Sequence, residues 1–217
     1  MMYGFRDKQT SVPAVHLLNM FDNELLKNMI EGIIDKIPAE PGLHSEKGIT
    51  GFETEKRTST VRWFMDAGFE SILRSAIDIA NYNAGWRYDI TKSELLQFTE
   101  YEVGGHYDWH RDGYCDHLSA RKWVVDGGPK DLRQTNDPQL LGTVRKISAS
   151  VILNDDYEGG EMEFKTVNDD GEFEITNIKP KTGSVIVFPS YVHHRVKPVT
   201  KGTRYSVVAW YGGPPFK

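Results

Sequence analysis

Tyr101-Glu102-Val103-Gly104-Gly105-His106-Tyr107-Asp108-Trp109-His110-Arg111-Asp112-Gly113 is the stretch whose reading decides this chain. It follows from a β-prone run, Leu95 to Tyr101, and passes a Gly-Gly turn signal into a second extended run. Residues two apart on a strand point to the same face, so His110 and Asp112 aim an imidazole and a carboxylate at one point. A His-x-Asp pair alone is weak evidence, because most such pairs lie on surfaces. Further along, Pro189-Ser-Tyr-Val-His193-His194-Arg-Val196-Lys-Pro198-Val-Thr-Lys-Gly-Thr-Arg204-Tyr-Ser206 supplies a second histidine and then a strand bearing Arg204 and Ser206. Arg204 and Ser206 are again two apart. A guanidinium fork matches a carboxylate in a bidentate pair, and a neighbouring hydroxyl adds a further donor.

Outward from these motifs the chain divides in character. Asp22 is placed to cap a helix whose apolar residues, Leu25, Leu26, Met29, Ile30, Ile33 and Ile37, fall on one face. A second helix is expected from about Phe69 to Tyr82, with Ile72, Leu73, Ala76, Ile77 and Ala80 on one side. Pro38 to Gly51 reads as a loop and Thr58 to Phe64 as β-prone. In the second half Arg145 to Leu153, Glu161 to Phe164, Glu172 to Ile178, Ser184 to Phe188 and Thr203 to Tyr211 read as strands. Two helices followed by many short strands predict an α+β chain, mainly β, with an antiparallel sandwich or barrel as its body. Gly113 to Val144 fits neither pattern. It is polar, glycine- and proline-bearing, and longer than connections in compact domains usually are. It reads either as a solvated insertion or as a lid or substrate loop.

The 217 residues suffice for one domain with a proper core, and a net charge of −5 gives no general attraction to nucleic acid or an anionic membrane. The one cysteine, Cys115, allows no intrachain disulfide. No apolar run approaches the ~20 residues of a membrane span, and Met1 to Val12 has no signal core. The expectation is a cytoplasmic protein with neither membrane nor nucleic-acid partner; its oligomeric state is not legible.

Two histidines and a carboxylate on one face of a six-coordinate metal leave three positions open, the facial triad of non-heme iron oxygenases. The motifs resemble the 2-oxoglutarate and Fe(II) oxygenase superfamily, and within it the prolyl 4-hydroxylase-like branch. That branch shows Tyr-x-x-Gly-x-x-Tyr-x-x-His-x-Asp, here Tyr101 to Asp112. It then shows an Arg-led strand and a Gly-Gly-Glu turn, here Arg145 to Glu161, and His-x-Val-x-Pro with a downstream Arg, here His194 to Arg204. The resemblance is strong over about 94–211 and weak over Arg57 to Phe64. It implies a double-stranded β-helix, or jelly roll, with N-terminal helices packed outside. The chain then forms one oxygenase domain over 1–217, with helical support about 1–93 and the jelly-roll core about 94–217 carrying the insertion 113–144.

The resemblance also implies roles. His110, Asp112 and His194 match the Fe(II) ligands, and Arg204 matches the partner of the distal carboxylate of 2-oxoglutarate, the co-substrate used with O2. Tyr101 and Tyr107 match tyrosines lining the co-substrate or substrate pocket, with plain core aromatics as the alternative, and ascorbate is a candidate reductant. Where some relatives place a tyrosine late in the Arg145 strand, this sequence has only small or aliphatic residues, and Ser206 is the candidate replacement. His193 and His194 are neighbours, so only one can face the metal; the spacing to Val196 and Pro198 favours His194. Arg145 reads as a structural ion-pair partner, and His16, His44, His106 and His117 as structural or exposed. The implied activity is hydroxylation of a prolyl or other residue in a protein or peptide. A free amino acid or small molecule is the alternative substrate, and a non-catalytic jelly-roll binding module is the alternative of another class. Asp112 speaks against a halogenase, in which the carboxylate is lost. Trp210 speaks against a nucleic-acid demethylase, which has a second Arg six residues after the first.

Overall fold

The computed structural model describes residues 14–216, apart from 18–19, 47–48, 52–54, 116, 125–132 and 168–169. Its main strands are β1 (Val15–Leu17), β2 (Glu40–Pro41), β3 (Arg57–Thr58), β4 (Thr60–Phe64), β5 (Leu96–Tyr101), β6 (His106–His110), β7 (Val144–Ile152), β8 (Met162–Val167), β9 (Phe173–Ile178), β10 (Val185–Pro189), β11 (His193–Val196) and β12 (Arg204–Gly213). The helices are α1 (Asn23–Lys36) and α2 (Ala67–Asn83). A major sheet runs β1-β10-β7-β12-β5-β4-β2, and a minor sheet runs β9-β8-β11-β6-β3. All pairings within these two sheets are antiparallel. The two sheets face each other as the walls of a jelly roll.

The alternation of side chains along β7 and β12 explains why the layers separate. Ile147, Ala149 and Val151 on β7, with Val207, Ala209 and Tyr211 on β12, form one apolar face. Against it pack Leu26 and Ile33 of α1 and Phe69, Leu73, Ala76, Ile77 and Ala80 of α2. The intervening residues Ser148, Ser150, Arg204, Ser206 and Trp210 turn to the space between the sheets, a consequence of the two-residue period. The helices therefore close the outside of the major sheet and leave its inner face for chemistry. A smaller core, with Tyr101, Met162, Phe164, Phe188 and Val196, fills the end of the roll beside the site.

The first helix starts at its expected cap, and the second starts at Ala67, two residues before the expected Phe69. The Asp22 side chain accepts from the backbone N–H of Glu24 and Leu25 at 2.9 and 3.1 Å, and Asp66 accepts from Phe69 at 2.8 Å. Pro38 to Gly51, expected to be a loop, instead contributes β2 to the edge of the major sheet and holds the short hairpin of His44–Glu46 with Ile49–Gly51. The extended run at Thr58 to Phe64 is divided at Ser59: β3 joins the minor sheet and β4 the major one.

The insertion is not structureless where it is described. Lys122–Trp123 pairs in parallel with Gln134–Thr135. Its stem is closed by Arg121 N–H to Thr143 O at 3.0 Å and Gly142 N–H to Arg121 O at 2.9 Å. Of the segment 113–144, for which a lid or substrate loop is one expectation, residues 116 and 125–132 lie outside the described residues. No described helix is long and apolar enough to cross a membrane.

Candidate active site

β6 and β11 lie side by side with His110 opposite His194. Asp112 follows β6, and its backbone N–H, with that of Gly113, donates to Ser190 O at 3.0 and 2.9 Å. The two imidazoles and the carboxylate converge: one ligand atom from each of His110, Asp112 and His194 lies within 4.8 Å of the other two, and all three residues are buried. His110 Nε2 is 3.6 Å from Asp112 Oδ1, and His194 Nε2 is 3.6 Å from Asp112 Oδ2. Each Nδ1 faces a backbone carbonyl, Asp108 O at 2.7 Å for His110 and Val192 O at 2.9 Å for His194. A carbonyl only accepts, so each Nδ1 carries a proton that it donates, and each Nε2 is left with its lone pair toward the shared point.

Charge is arranged to match. Burial, and then the neighbouring His194, push the His110 imidazole well below its usual range, so it stands neutral and able to donate its lone pair. Burial alone raises the Asp112 carboxyl, but the groups around it, with Arg145 the permanent cation among them, outweigh burial and hold it below its usual range. Asp112 Oδ2 is buried without a hydrogen-bond partner. The Ser148 hydroxyl steadies the same carboxylate and lies 2.9 Å from Ser190 Oγ.

These groups open into a cavity of about 190 Å³ between the sheets, whose far wall is Arg204, Ser206 and Ser150. Arg204 is 1 % exposed, a guanidinium all but sealed from water. Its Nη1 donates to Ser206 Oγ at 2.9 Å, while Nε and Nη2 have no partner. Those two nitrogens share one edge of the guanidinium, the edge that grips a carboxylate in a bidentate pair. Tyr101, opposite Arg204 in the sheet register, presents its ring 5.5 Å from the guanidinium.

The family model described as the 2OG-Fe(II) oxygenase superfamily matches residues 96–212, more than half of the 217-residue chain. The chain belongs to the 2-oxoglutarate/Fe(II) oxygenase superfamily. A PKHD-type hydroxylase of Gloeothece citriformis is 31 % identical over 121 residues, covering 55 % of this chain and 43 % of that protein. Prolyl 3-hydroxylase 2 of Homo sapiens is 44 % identical over 71 residues, covering 32 % of this chain and 10 % of that protein. The chain thus spans less than half the length of these curated relatives. Among solved structures, the prolyl hydroxylase of Trichoplax adhaerens, in complex with a hypoxia inducible factor oxygen degradation domain peptide fragment, superposes with a TM-score of 0.65 at 17 % identity. That likeness covers 93 % of this chain and 84 % of the Trichoplax one, and it establishes a shared fold.

Membership of this oxygenase superfamily implies Fe(II), 2-oxoglutarate and O2, and the residues fit them. Adjacent ligands of a six-coordinate ion at about 2.1 Å stand about 3 Å apart, and one ligand atom of each of the three residues already lies within 4.8 Å of the other two. The partnerless Asp112 Oδ2 supplies one ligand atom, and the bare edge of Arg204 supplies the counter-charge for a dicarboxylic co-substrate.

All of the oxygenase site residues expected from sequence lie around this one cavity, and His193 does not. His193 sits on β11 between inward residues, faces the other side of the minor sheet, and is half-buried there. His193→Ala is expected to retain metal affinity within about twofold, measured by titration of the folded protein. Tyr107 holds a place that simple alternation does not foresee. The β6–β11 ladder shifts register between His110 and Tyr107, which brings both to one face, and the phenol stacks on the His110 imidazole at 3.4 Å. Arg57 in turn lies 4.5 Å over Tyr107 and is fixed by Gln97, Leu43 O and Ser59. His106 bonds to backbone carbonyls of Gly104 and Glu55, His117 is exposed, and Cys115 is exposed. The side chains of His16 and His44 lie outside the described residues.

Arg145 is the residue whose role the sequence understates. A bulge in β7 between Arg145 and Ile147 turns Arg145 inward to the cavity. It is the ion-pair partner that was expected: Nε and Nη2 reach Glu94 at 2.7 Å each. Its Nη1 also donates to Asp112 O at 3.3 Å, and its guanidinium lies 4.2 Å over Trp210. Gly113 makes this approach possible, because a Cβ there would stand 3.0 Å from Arg145 Cβ and 3.1 Å from Arg145 O. Gly113→Ala is expected to destabilise the protein by about 1–2 kcal/mol, read from its thermal or denaturant transition.

Burial pushes the Glu94 carboxyl up, but Arg145 and Arg121 more than reverse this and leave it below the usual range. A carboxyl depressed in the folded state contributes stability that is present above its unfolded pKa and is lost as pH falls through the folded one. Wild-type stability should therefore decline on acidification more steeply than that of Glu94→Gln, compared by denaturant midpoints across the acid range.

Proposed function

We propose that this protein is a 2-oxoglutarate- and Fe(II)-dependent hydroxylase acting on a prolyl residue in a protein or peptide. The observation that carries the reaction class is the bare Nε–Nη2 edge of buried Arg204 in the same cavity as the His110–Asp112–His194 cluster. A buried guanidinium with two unmet donors needs an anion, and a dicarboxylate reaching from the metal to that wall supplies one. The prolyl substrate is supported by the resemblance to PKHD-type and prolyl hydroxylases, and oxidation at position 3 or position 4 of the ring stays open between them.

His110, Asp112 and His194 would hold the iron and leave the rest of its coordination to the co-substrate and oxygen. When bound, the iron, with O2, supplies the oxidising power: 2-oxoglutarate loses CO2 and becomes succinate with one oxygen atom, and the other enters a C–H bond of the substrate. The chain's own part is positioning. Asp108 O and Val192 O fix the imidazole tautomers, and Ser148 and Ser190 hold Asp112. Arg204, itself oriented by Ser206, clamps the distal carboxylate, with Tyr101 over it and Ser150 beside it. Ser206 and Ser150 together take the place of the tyrosine that some relatives carry. Trp210 Nε1, a buried donor without a partner on the cavity wall, is available to a substrate carbonyl. Ascorbate serves as the reductant that restores Fe(II) after uncoupled turnover.

The test is mass spectrometry of proline-containing peptides incubated with the protein, Fe(II), 2-oxoglutarate and O2. A gain of one oxygen on proline, matched by succinate, is the expected result. Succinate formation stimulated by a free amino acid but by no peptide would move the substrate class to small molecules.

A further inference from the structure

One carboxylate in this protein serves two arginines. The Glu94 side chain is 12 % exposed, and Arg145 already satisfies it through both of its oxygens. Arg121, from the root of the insertion, nevertheless places Nη2 on Oε1 of the same carboxylate. Arg121 is 5 % exposed, and the stem that carries it is tied to Thr143, two residues before Arg145. Burying a second guanidinium on a carboxylate that is already paired is a poor source of stability, since desolvation offsets the Coulomb gain. The balance is visible in the two partners: burial weakens Arg121's hold on its proton, whereas Glu94 strengthens that of Arg145. What the second cation does supply is orientation. It fixes the rotation of the Glu94 carboxylate, and so the plane of Arg145, which holds Asp112 O and packs on Trp210.

We propose that Arg121 is a positioning residue through which the seating of the insertion sets the geometry of the metal-binding carboxylate. The connection runs Arg121, Glu94, Arg145, Asp112, each step a direct contact. It gives the insertion a purpose near the chemistry without placing any of its side chains on the metal. The proposal rests on the reading of His110, Asp112 and His194 as metal ligands. Outer partners of metal ligands alter affinity by roughly 10–100-fold when removed, and Arg121 stands beyond them. Its removal is expected to have about a fivefold to tenfold effect.

The experiment compares wild type, Arg121→Met and Arg121→Lys for Mn(II) affinity, from the free-ion magnetic resonance signal. It also compares the position of the absorption band formed anaerobically with Fe(II) and 2-oxoglutarate. Arg121→Met keeps the length and loses the cation; it should bind Mn(II) about fivefold to tenfold more weakly and shift the band. Arg121→Lys restores the charge but cannot reach Glu94 and Thr143 together, and should fall between the two. A folded Arg121→Met with a lowered melting temperature but wild-type affinity and an unmoved band would make Arg121 merely structural and overturn the proposal. Should Arg121→Met fail to fold, wild-type values of both readouts in folded Arg121→Lys overturn it equally. Wild type with no metal affinity and no band removes the oxygenase reading and this proposal together. An intact wild-type band with unmoved variants removes this one alone.

Discussion

His194→Ala and His110→Ala should each weaken Fe(II) binding by at least about a hundredfold and abolish succinate formation, because each removes one of three protein ligands. The loss should not reflect unfolding. His110 and His194 lie at the edge of the smaller core, and the nineteen-residue cluster between the helices and the major sheet is untouched. Circular dichroism and metal titration on the same samples separate the two effects. Asp112→Ala should behave alike and leave two imidazoles, with no carboxylate, to hold a dication. The comparison with His193→Ala is the internal control: the two histidines are adjacent in sequence but face opposite sides of β11. An inactive His193→Ala beside an active His194→Ala would mean that the ligand strand is read in the wrong register.

Arg204→Ala should raise the half-saturating 2-oxoglutarate concentration by roughly two to four decades while iron binding survives. The guanidinium is sealed from water and two of its donors are unmet, so a carboxylate docked there would lose the buried counter-charge that those donors present. Breaking one side of a buried charged pair costs on the order of 3–5 kcal/mol, which sets that range. Arg204→Lys should recover part of the loss, since an ammonium returns the charge but not the two-pronged edge. The measurement is the 2-oxoglutarate dependence of succinate formation at fixed iron. An unchanged half-saturation in Arg204→Ala would remove the co-substrate assignment.

Much of this site was legible because strand periodicity is a strong constraint. Arg204 and Ser206 are two apart on β12 and face the cavity, and Asp112, just past the end of β6, keeps the side of His110. The helices were legible for a like reason: their apolar faces repeat at the helical period, and Asp22 marks the start of the first, whereas the Asp66 cap of the second came only with the structure. Periodicity misleads where a ladder slips. Counting by twos puts Tyr107 opposite His110, and puts Arg145 on the helix-facing side with Ile147. A bulge in each strand reverses both, and nothing local in Tyr107-Asp108-Trp109-His110 or Arg145-Lys146-Ile147 announces it. Other parts were hidden by distance. Glu94 is 51 residues from Arg145 and 27 from Arg121, so the shared carboxylate exists only once the sheets are paired. Ser148 and Ser150 look like ordinary small strand residues until their face is known to be the inner one. Pro38 to Gly51 looked like loop because it is rich in Pro and Gly, yet an edge strand such as β2 tolerates Pro41.

The central claim is that one cavity holds both a facial metal triad and the clamp for a 2-oxo dicarboxylate. Anaerobic titration of the protein with Fe(II) and 2-oxoglutarate, followed by visible absorption, tests it most directly. The account predicts a metal-to-ligand charge-transfer band that saturates at one iron and one 2-oxoglutarate per chain. The band should be lost in His194→Ala and, in Arg204→Ala, appear only at far higher 2-oxoglutarate. No band in the wild-type protein at saturating concentrations of both would contradict the account.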